Sequence, residues 1–449
     1  MAPRADDTRQ AHRGAVLHFR SDPGERDSPD AYEYHEDGLL IVVNGRVESA
    51  GPAQALLTTV RSEEVVDHAG QLILPGFIDT HIHFPQTDVI ASGGSHLLEW
   101  LEQYTFAEER RFADKAHARE VAEFFCDELS INGTTTAQVL GTVHSEATDA
   151  FFEVAAHRNL RMIAGKVLMD RNCPDYLRDT PEAGERQSRE LIEAWHGRER
   201  LRYAITPRFA PTSSEAQLMA AGRVAQDHPD VYVHTHLAEN PSEVAWVKAL
   251  FPEARSYLDV YDRCGLLRER SVFAHCLHLD AEDRRRMADS GATAAFCPTS
   301  NLYLGSGLFD IAAADAAGLQ FSLATDVGGG TSFSMLRTMA EAYKVAQLQG
   351  QRLSPLRAFY FATLGGARAL RLDDRIGHFA RGAEADFIVL DPAATALMAR
   401  RASQARSLSE RLLQIMTLGD DRAVAATYIL GEPVQRRQAM RNLTSEARR

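Results

Sequence analysis

The sequence predicts an α/β fold: a (β/α)8 barrel of the TIM type with a small β-sandwich domain built from both termini. Three observations predict it, namely eight short apolar runs, the amphipathic segments between them, and β-rich flanks with glycine turns. Alternating strands and helices indicate parallel βαβ units. Residues 74–370 have about the length of a closed eight-stranded barrel, roughly 250 residues.

Each predicted barrel strand is short and rich in β-branched or aromatic residues. In chain order the runs are LILPGFIDTHIH (72–83), TTTAQVL (134–140), RMIAGKVLMD (161–170), LRYAITPRFAP (201–211), VYVHTHLAE (231–239), SVFAHCLHL (271–279), TAAFCPTSN (293–301) and FSLATDVGGG (321–330). Amphipathic segments such as 145–158 and 213–226 separate them. A doubly wound open sheet is the structural alternative.

The two flanks of the barrel are predicted to form the small domain. GLLIVVNGRVES (38–49) indicates a hairpin that turns at Asn44-Gly45, a strong two-residue turn signal. Strand, glycine turn and strand recur in the segments 380–392 and 423–434. We therefore expect the N-terminal part of the small domain over 1–74, the barrel over 75–375 and the C-terminal part over 376–449.

Composition limits the classes of partner. The 449 residues carry a formal net charge of −13, which argues against binding a nucleic-acid backbone. No apolar stretch has the length of a signal peptide or a membrane span, so we expect a soluble, cytoplasmic protein. Scattered thiols favour a reducing compartment over a disulfide framework or a cysteine-bound zinc; they are Cys126, Cys173, Cys264, Cys276 and Cys297.

Metal-ligating side chains stand at the carboxyl ends of four predicted strands, the rim where barrel enzymes keep their active sites. His81 and His83 alternate on the first strand and so point the same way. The fifth, sixth and eighth strands end with further candidates, which are His234, His236, Glu239, His275, His278 and Asp326. Three imidazoles and one carboxylate on one rim predict a divalent-metal shell that keeps a position for water. The alternative for the first-strand pair is a set of hydrogen-bonded packing histidines, and we expect His234 to lie one layer deeper.

Glu239 follows His236 by three residues, where the chain leaves the fifth strand. A carboxylate there reaches a metal-bound water or a substrate without being a ligand, which is the position of a general acid and base. The alternative is an N-cap or first-turn acid of the helix predicted in NPSEVAWVKAL. Beside a metal, we favour the catalytic interpretation.

These strand-end residues together resemble the amidohydrolase superfamily, in its cytosine deaminase-like branch. The segment ADFIVLD (385–391) is similar to the returning β-domain segment of that branch. A closer similarity, to the guanine deaminases, is carried by PGFIDTHIHFPQTDVIASGGSHLLEWL, KVLMDRNCP and CPTSNLYLGSGLF. The resemblance covers nearly the whole chain.

The resemblance implies roles for individual residues. One zinc ion per chain would be held by His81, His83, His236 and Asp326. Catalysis would also use Asp326, together with Glu239 as proton shuttle and His275 beside the zinc-bound water. Gln86, Arg208 and Phe209 match positions that hold and stack the guanine ring, and an amide, a guanidinium and a phenyl suit a purine edge and face. From the residues alone, a surface salt bridge for Arg208 and core packing for Phe209 remain open.

One absence bears on the number of metals. Two-metal members of the superfamily carry a carbamylated lysine at the end of the fourth strand, where this chain has ITPRFAP (205–211). Lys166 belongs to the third strand and is misplaced for bridging two ions. We therefore expect one metal. A His3Asp shell accepts several divalent ions, so zinc over iron or manganese follows from the resemblance.

The resemblance thus implies hydrolytic deamination of guanine to xanthine and ammonia by a single zinc-activated water. Another deaminase of the same scaffold is the first alternative, acting on an oxidised purine, a pterin, a pyrimidine or an s-triazine. A non-catalytic scaffold protein on a hydrolase barrel is the alternative from another class. The expected partner is guanine, with no nucleic acid and no membrane, and the resemblance implies a homodimer.

Overall fold

The computed structural model describes residues 9–93 and 97–436, so the outer ends of the predicted small domain lie outside the described residues. Over these ranges the chain forms strands β1 (Arg9–Phe19), β2 (Tyr32–Val43), β3 (Arg46–Pro52), β4 (Val65–Pro75), β5 (Phe77–His83), β6 (Thr134–Leu140), β7 (Arg161–Gly165), β8 (Val167–Leu168), β9 (Arg202–Pro207), β10 (Tyr232–Leu237), β11 (Ser271–His275), β12 (Thr293–Phe296), β13 (Gln320–Leu323), β14 (Phe387–Leu390), β15 (Val424–Ile429) and β16 (Glu432–Arg436).

The helices are mostly the connections between barrel strands. They are α1 (Ala53–Leu56), α2 (Leu97–Trp100), α3 (Phe106–Glu109), α4 (Lys115–Ile131), α5 (Ser145–His157), α6 (Pro181–Trp195), α7 (Glu215–Asp227), α8 (Pro241–Leu250), α9 (Tyr257–Asp262), α10 (Ala281–Ser290), α11 (Pro298–Tyr303), α12 (Ile311–Ala316), α13 (Met335–Leu348), α14 (Pro355–Tyr360), α15 (Gly366–Ala369), α16 (Ala396–Ala402) and α17 (Leu408–Leu418). Ser214 and Asp280 begin α7 and α10 by accepting a backbone N–H at the N-cap. None of the described helices is long and apolar enough to cross a membrane.

The barrel consists of parallel strands in the order β5, β6, β7, β9, β10, β11, β12 and β13, with β8 continuing β7 beside β9. These strands fall in the eight runs predicted from the sequence. The two ends of the sheet meet, since Thr80 Oγ1 donates to the Leu323 carbonyl at 3.0 Å and Asp326 N donates to the His81 carbonyl at 2.9 Å. The (β/α)8 prediction is confirmed, and the open doubly wound sheet is not the fold.

Strand alternation divides the barrel core into two layers. Ile78, Ile163 and Tyr232 belong to a cluster drawn largely from the strands and lie inside the barrel. Val233, one residue further along β10, packs in the larger cluster that includes the surrounding helices. Successive strand residues face opposite sides, so the rim residues of the same strands are held by packing on both faces.

The small domain is built from both ends of the chain, as predicted. Its seven strands are hydrogen-bonded in the order β16, β15, β14, β4, β1, β2 and β3. The predicted hairpin turns at Asn44 (φ 51°) and Gly45 (φ 75°), which suits a two-residue turn that requires positive φ at both positions. The boundaries proposed at residues 74 and 375 stay a prediction.

A buried ion-pair network joins the two parts. Arg161 at the start of β7 donates to Glu384 through Nε (3.1 Å) and Nη2 (2.5 Å). Arg200 pairs with Glu384 and with Asp386, just before β14. All four side chains are buried, so each charge depends on its partners for stabilisation.

Candidate metal centre and active site

Four ligand atoms converge at the carboxyl ends of three barrel strands. The Nε2 atoms of His81 and His83 lie 3.2 Å apart, at the end of β5. Asp326 Oδ1, after β13, lies 3.1 Å from the first of these nitrogens and 3.3 Å from the second. His236 Nε2, near the end of β10, is 3.2 Å from His83 Nε2. The predicted ligands therefore come together, and the separations leave room for one ion between them.

The cluster fits a tetrahedral metal in both geometry and chemistry. Ligands about 2.0–2.1 Å from a zinc ion are about 3.3–3.4 Å from one another, close to the separations seen here. Burial lowers the pKa of His83 to about 4 and that of His236 well below its usual value. Burial opposes ionisation of Asp326, but the adjacent imidazoles outweigh it and hold its pKa well below normal. Neutral imidazoles and an ionised carboxylate are the forms that bind metals.

The outer ring nitrogens of the three histidines are also held. His81 Nδ1 is 2.7 Å from His234 Nε2, so His234 lies one layer behind the ligands, as expected. His236 Nδ1 donates to the Arg208 carbonyl at 2.7 Å, which leaves its Nε2 without a proton and facing the cluster. His83 Nδ1 lies 3.0 Å from Gln86 Nε2. Such contacts fix the orientation of each ring before an ion binds.

Glu239 lies beside the cluster without belonging to it. Its Oε2 is 3.3 Å from His275 Nε2, and its Oε1 accepts a hydrogen bond from Ser306 Oγ at 2.9 Å. Burial, with the charges of Asp326 and Glu243, raises the pKa of Glu239 well above its usual value. A carboxyl group with a raised pKa is suited to carrying a proton near neutral pH.

The capping interpretation of Glu239 is not supported. The N-cap of α8 is Asn240, whose side chain accepts from Ser242 N at 2.9 Å. The acid of the first turn is Glu243, which accepts from the backbone N–H groups of both Glu239 and Asn240. The carboxylate of Glu239 is therefore free of helix capping and faces the rim.

His275 completes the inner rim. Its Nε2 is 3.8 Å from Asp326 Oδ2, and its Nδ1 accepts from Asn301 Nδ2 at 2.8 Å. Burial lowers the pKa of His275 to about 3, so the ring is neutral. With Nδ1 accepting, the remaining proton stands on Nε2, between the two carboxylates. His278, also a candidate from the sequence, is exposed and bonds to the Ser306 carbonyl at 2.9 Å, so it lies outside the cluster.

The cluster forms the floor of an open pocket whose empty space, counted together with the open solvent at its mouth, is about 390 Å³. Its walls bring apolar side chains together with the residues predicted to bind substrate, and they include Gln86, Leu97, Trp100, Leu101, Arg208, Phe209 and Leu304. Phe209 is buried with its ring 6.4 Å from that of Trp246 in an edge-on arrangement. Apolar walls with a few polar side chains suit the faces and edges of a flat aromatic ring.

Arg208 and Gln86 are held by partners that the sequence did not indicate. Arg208 is 2% exposed, so it is not a surface salt-bridge residue. Its Nη1 donates to both oxygens of the fully buried Glu109, at 2.8 and 2.9 Å. Gln86 Nε2 also approaches Glu109 Oε1 at 3.4 Å, while Gln86 Oε1 accepts from Gly328 N at 3.2 Å.

Similarity to known proteins now assigns the family. A model of the amidohydrolase family matches residues 72–434. The chain belongs to the amidohydrolase family. It is 51% identical to the guanine deaminase of Escherichia coli (strain K12), over 96% of this chain and 98% of that protein. The solved structure of E. coli guanine deaminase superposes with a TM-score of 0.93 at 50% identity, covering 96% of this chain and 100% of that chain. A guanine deaminase from C. acetobutylicum with guanine in its active site gives a TM-score of 0.86 at 27% identity, over 95% and 100%.

This member of the amidohydrolase family has no lysine at the metal site among the residues that the structure describes. The two potential metal-binding groups found there are His81, His83, His236 and Asp326, and a second that reuses Asp326 with His275 and Cys297. Lys166 lies between β7 and β8, is buried and pairs with Asp179. Its ammonium is therefore committed to an ion pair away from the cluster.

Three residues that support the site escaped the sequence analysis. Asn301 and Ser306 lie in the segment CPTSNLYLGSGLF, which was noted for its family resemblance and not for particular contacts. Glu109 lies 99 positions before Arg208 and ends a helix, not a strand. The segment containing Glu109 has no metal-ligand spacing, so only the folded contacts identify it.

Proposed function

We propose that this member of the amidohydrolase family deaminates guanine hydrolytically to xanthine and ammonia. The observation that carries the proposal is the 51% identity to a guanine deaminase over 96% of the chain. The pocket supports it, because the metal-ligand cluster and the predicted ring-binding residues line one cavity. The residues predicted to ligate a metal and to catalyse, which scaffold proteins typically lose, lie together at one rim of the barrel.

We propose one zinc ion per chain, held by His81, His83, His236 and Asp326. When bound, zinc lowers the pKa of a water molecule toward neutrality and so supplies hydroxide. The donor set supports zinc, since three imidazole nitrogens and one carboxylate oxygen in tetrahedral spacing match its preferences. A single ion agrees with the sequence of β9 (Arg202–Pro207) and with the described residues that line the pocket, since neither includes a lysine.

Glu239 is proposed to carry the protons of the reaction. Its Oε2 accepts a proton from the attacking water and delivers it to a ring nitrogen next to C2 of guanine, which makes C2 electrophilic. The hydroxyl oxygen then bonds to C2. Glu239 moves the remaining hydroxyl proton to the amino group, the C2 carbonyl forms, the C2–N bond breaks, and the nitrogen leaves with the bonding pair as ammonia. Ser306 holds Oε1, so the other oxygen faces His275 and the reacting atoms.

His275 and Asp326 are proposed to orient the water. With its proton on Nε2, His275 stands 3.3 Å from Glu239 Oε2 and 3.8 Å from Asp326 Oδ2. A neutral imidazole there donates to the oxygen that adds to C2 and stabilises the charge that develops on it. Asp326 would also accept a hydrogen bond from this water.

Gln86, Arg208 and Phe209 are proposed to bind the ring. Arg208 presents N–H donors that suit the 6-oxo group, and Phe209 covers the face of the purine. Gln86 keeps its contacts with His83 and Glu109, so it links the ring site to a metal ligand. These roles agree with the position of all three side chains on one pocket.

We also propose that the enzyme is a cytoplasmic homodimer. All five cysteines are free, which agrees with a reducing compartment. The homodimer follows from resemblance to barrel amidohydrolases. Sedimentation equilibrium tests it, since a mass equal to one chain over a tenfold range of concentration would contradict the dimer.

The test of substrate is a panel of aromatic amines. Zinc-loaded protein is incubated with guanine, adenine, cytosine, 8-oxoguanine and an aminopterin, and ammonia release is measured for each. We expect guanine to have the highest kcat/KM. Activity on another ring without activity on guanine would keep the deamination chemistry and overturn the assignment of guanine.

A further inference from the structure

We propose that Glu109 sets the preference of this site for a purine with a 6-oxo group, by holding the Arg208 guanidinium as a two-donor fork that faces the pocket. Glu109 does not line the pocket, so it acts through Arg208 as a positioning residue. The inference rests on the proposed function, because it assumes that the ring bound here is guanine.

The Glu109 carboxylate contacts a residue of the pocket wall through both of its oxygens. It is fully buried at the end of α3, and both of its oxygens accept from one nitrogen, Arg208 Nη1. The guanidinium carbon of Arg208 also lies 5.4 Å from the ring centre of Phe106, which belongs to α3 together with Glu109. The ion pair and the ring together restrict both the position and the plane of the guanidinium.

This arrangement leaves one edge of Arg208 for a ligand. Its Nε and Nη2 make no hydrogen bond to any residue in the ranges 9–93 and 97–436, and the side chain lines the pocket. A guanidinium edge with two parallel N–H groups matches two adjacent acceptors in one plane, and O6 and N7 of guanine are such a pair. A purine without the 6-oxo group offers only one of them.

The negative charge of Glu109 also keeps Arg208 away from the reacting groups. Glu239 and Asp326 line the same pocket as Arg208, and both are carboxylates. A buried guanidinium without a counter-charge is strongly unfavourable, so an unanchored Arg208 would turn toward one of them. An ion pair with Glu239 would remove its proton-accepting oxygen from the reaction. Glu109 therefore serves both recognition and catalysis.

Gln86 provides a second, independent contact to the same carboxylate. Its Nε2 lies 3.4 Å from Glu109 Oε1, and the same atom is 3.0 Å from His83 Nδ1. Two of the three predicted ring-binding residues therefore meet at one buried acid. These shared contacts with Arg208 and Gln86 distinguish Glu109 from a residue that only stabilises α3.

The test compares binding of hypoxanthine, which has the 6-oxo group, with unsubstituted purine, which lacks it. Neither ring carries an amino group, so dissociation constants are measured by calorimetry on the zinc-loaded full chain without turnover. We expect the parent to prefer hypoxanthine roughly tenfold to a hundredfold, the value of one two-donor contact. Glu109→Gln, which keeps the shape and loses the charge, is expected to reduce that ratio at least about fivefold.

The control is a double-variant cycle with Arg208→Gln. If Glu109 acts through Arg208, the Glu109→Gln/Arg208→Gln protein has the same ratio as Arg208→Gln alone. An unchanged ratio in Glu109→Gln, with both ligands weakened equally, would overturn the inference and leave only a structural role. If Glu109→Gln does not fold, Glu109→Asp is measured instead, and an unchanged ratio there overturns the inference equally.

Failure of the proposed function gives a different result. A parent protein that binds hypoxanthine no better than purine and does not deaminate guanine would show that guanine is not the substrate. A parent protein that deaminates guanine and has the expected ratio, with no loss of that ratio in Glu109→Gln, would show that only the role of Glu109 is wrong.

Discussion

Glu239→Gln separates proton transfer from every other property of the site. The substitution keeps the length and planarity of the side chain, and its amide oxygen still accepts from Ser306 Oγ, now 2.9 Å from Oε1. The other terminal atom, 3.3 Å from His275 Nε2, becomes an NH2 group that accepts no proton. Because general acid and base catalysis contributes about 10²–10⁴-fold, we expect kcat to fall by that factor. The barrier rises by about 3–5 kcal/mol.

The assay follows conversion of guanine to xanthine by absorbance, together with metal content. Zinc content should stay at the parent value, since Glu239 is not among the four ligand atoms of the cluster. The matched control is Glu243→Gln, a neighbouring buried carboxylate that contacts the Glu239 backbone and Tyr257 but does not line the pocket. A smaller loss is expected for the control. A rate for Glu239→Gln within about threefold of the parent would refute the proton-shuttle assignment.

Three further predictions test the proposed metal ligand Asp326, the hydrogen bond from Ser306 to Glu239, and the ion pair between Arg161 and Glu384 that joins the barrel to the small domain. Asp326→Asn is expected to leave the purified protein with well under one zinc per chain, measured by mass spectrometry, because the only anionic ligand is lost; full zinc content would contradict the ligand set. Ser306→Ala should lower kcat about tenfold to a hundredfold with little change in KM, because a hydrogen bond to a charged group is worth about 1.5–3 kcal/mol; a change in KM alone would oppose the positioning role. Glu384→Gln leaves the buried Arg161 without its counter-charge and should lower the free energy of unfolding by about 3–5 kcal/mol in urea titrations; an unchanged midpoint would contradict this.

The sequence predicted which side chains meet in the candidate metal site because their placement depends on local rules. Residues alternate along a strand, and the carboxyl ends of parallel barrel strands share one rim. His81 and Asp326 therefore meet although 245 positions separate them. His236 joins the same cluster from a third strand. The same rules predicted His234 behind the ligands. The hairpin at residues 44–45 was equally local, since the turn requires residues that tolerate positive φ.

The partners of the residues proposed to bind the ring could not be predicted in this way. Glu109 reaches Arg208 from a helix in a long connection, and no periodicity specifies which side chain ends up against that guanidinium. Asn301 in α11 contacts His275, and Ser306 in the following loop contacts Glu239. Such contacts depend on how the connections fold over the rim. The strand order of the small domain also depends on contacts between distant parts of the chain, since β14 pairs with β4 across more than 300 positions.

The most direct test of the account is guanine turnover before and after removal of metal. Purified protein is assayed for xanthine and ammonia, treated with a chelator, and reconstituted with increasing zinc. The account predicts equal amounts of the two products, loss of activity on chelation, and full recovery at one zinc per chain. Recovery that requires two ions per chain would contradict the single-metal site. A zinc-loaded protein that forms no xanthine from guanine would contradict the central claim.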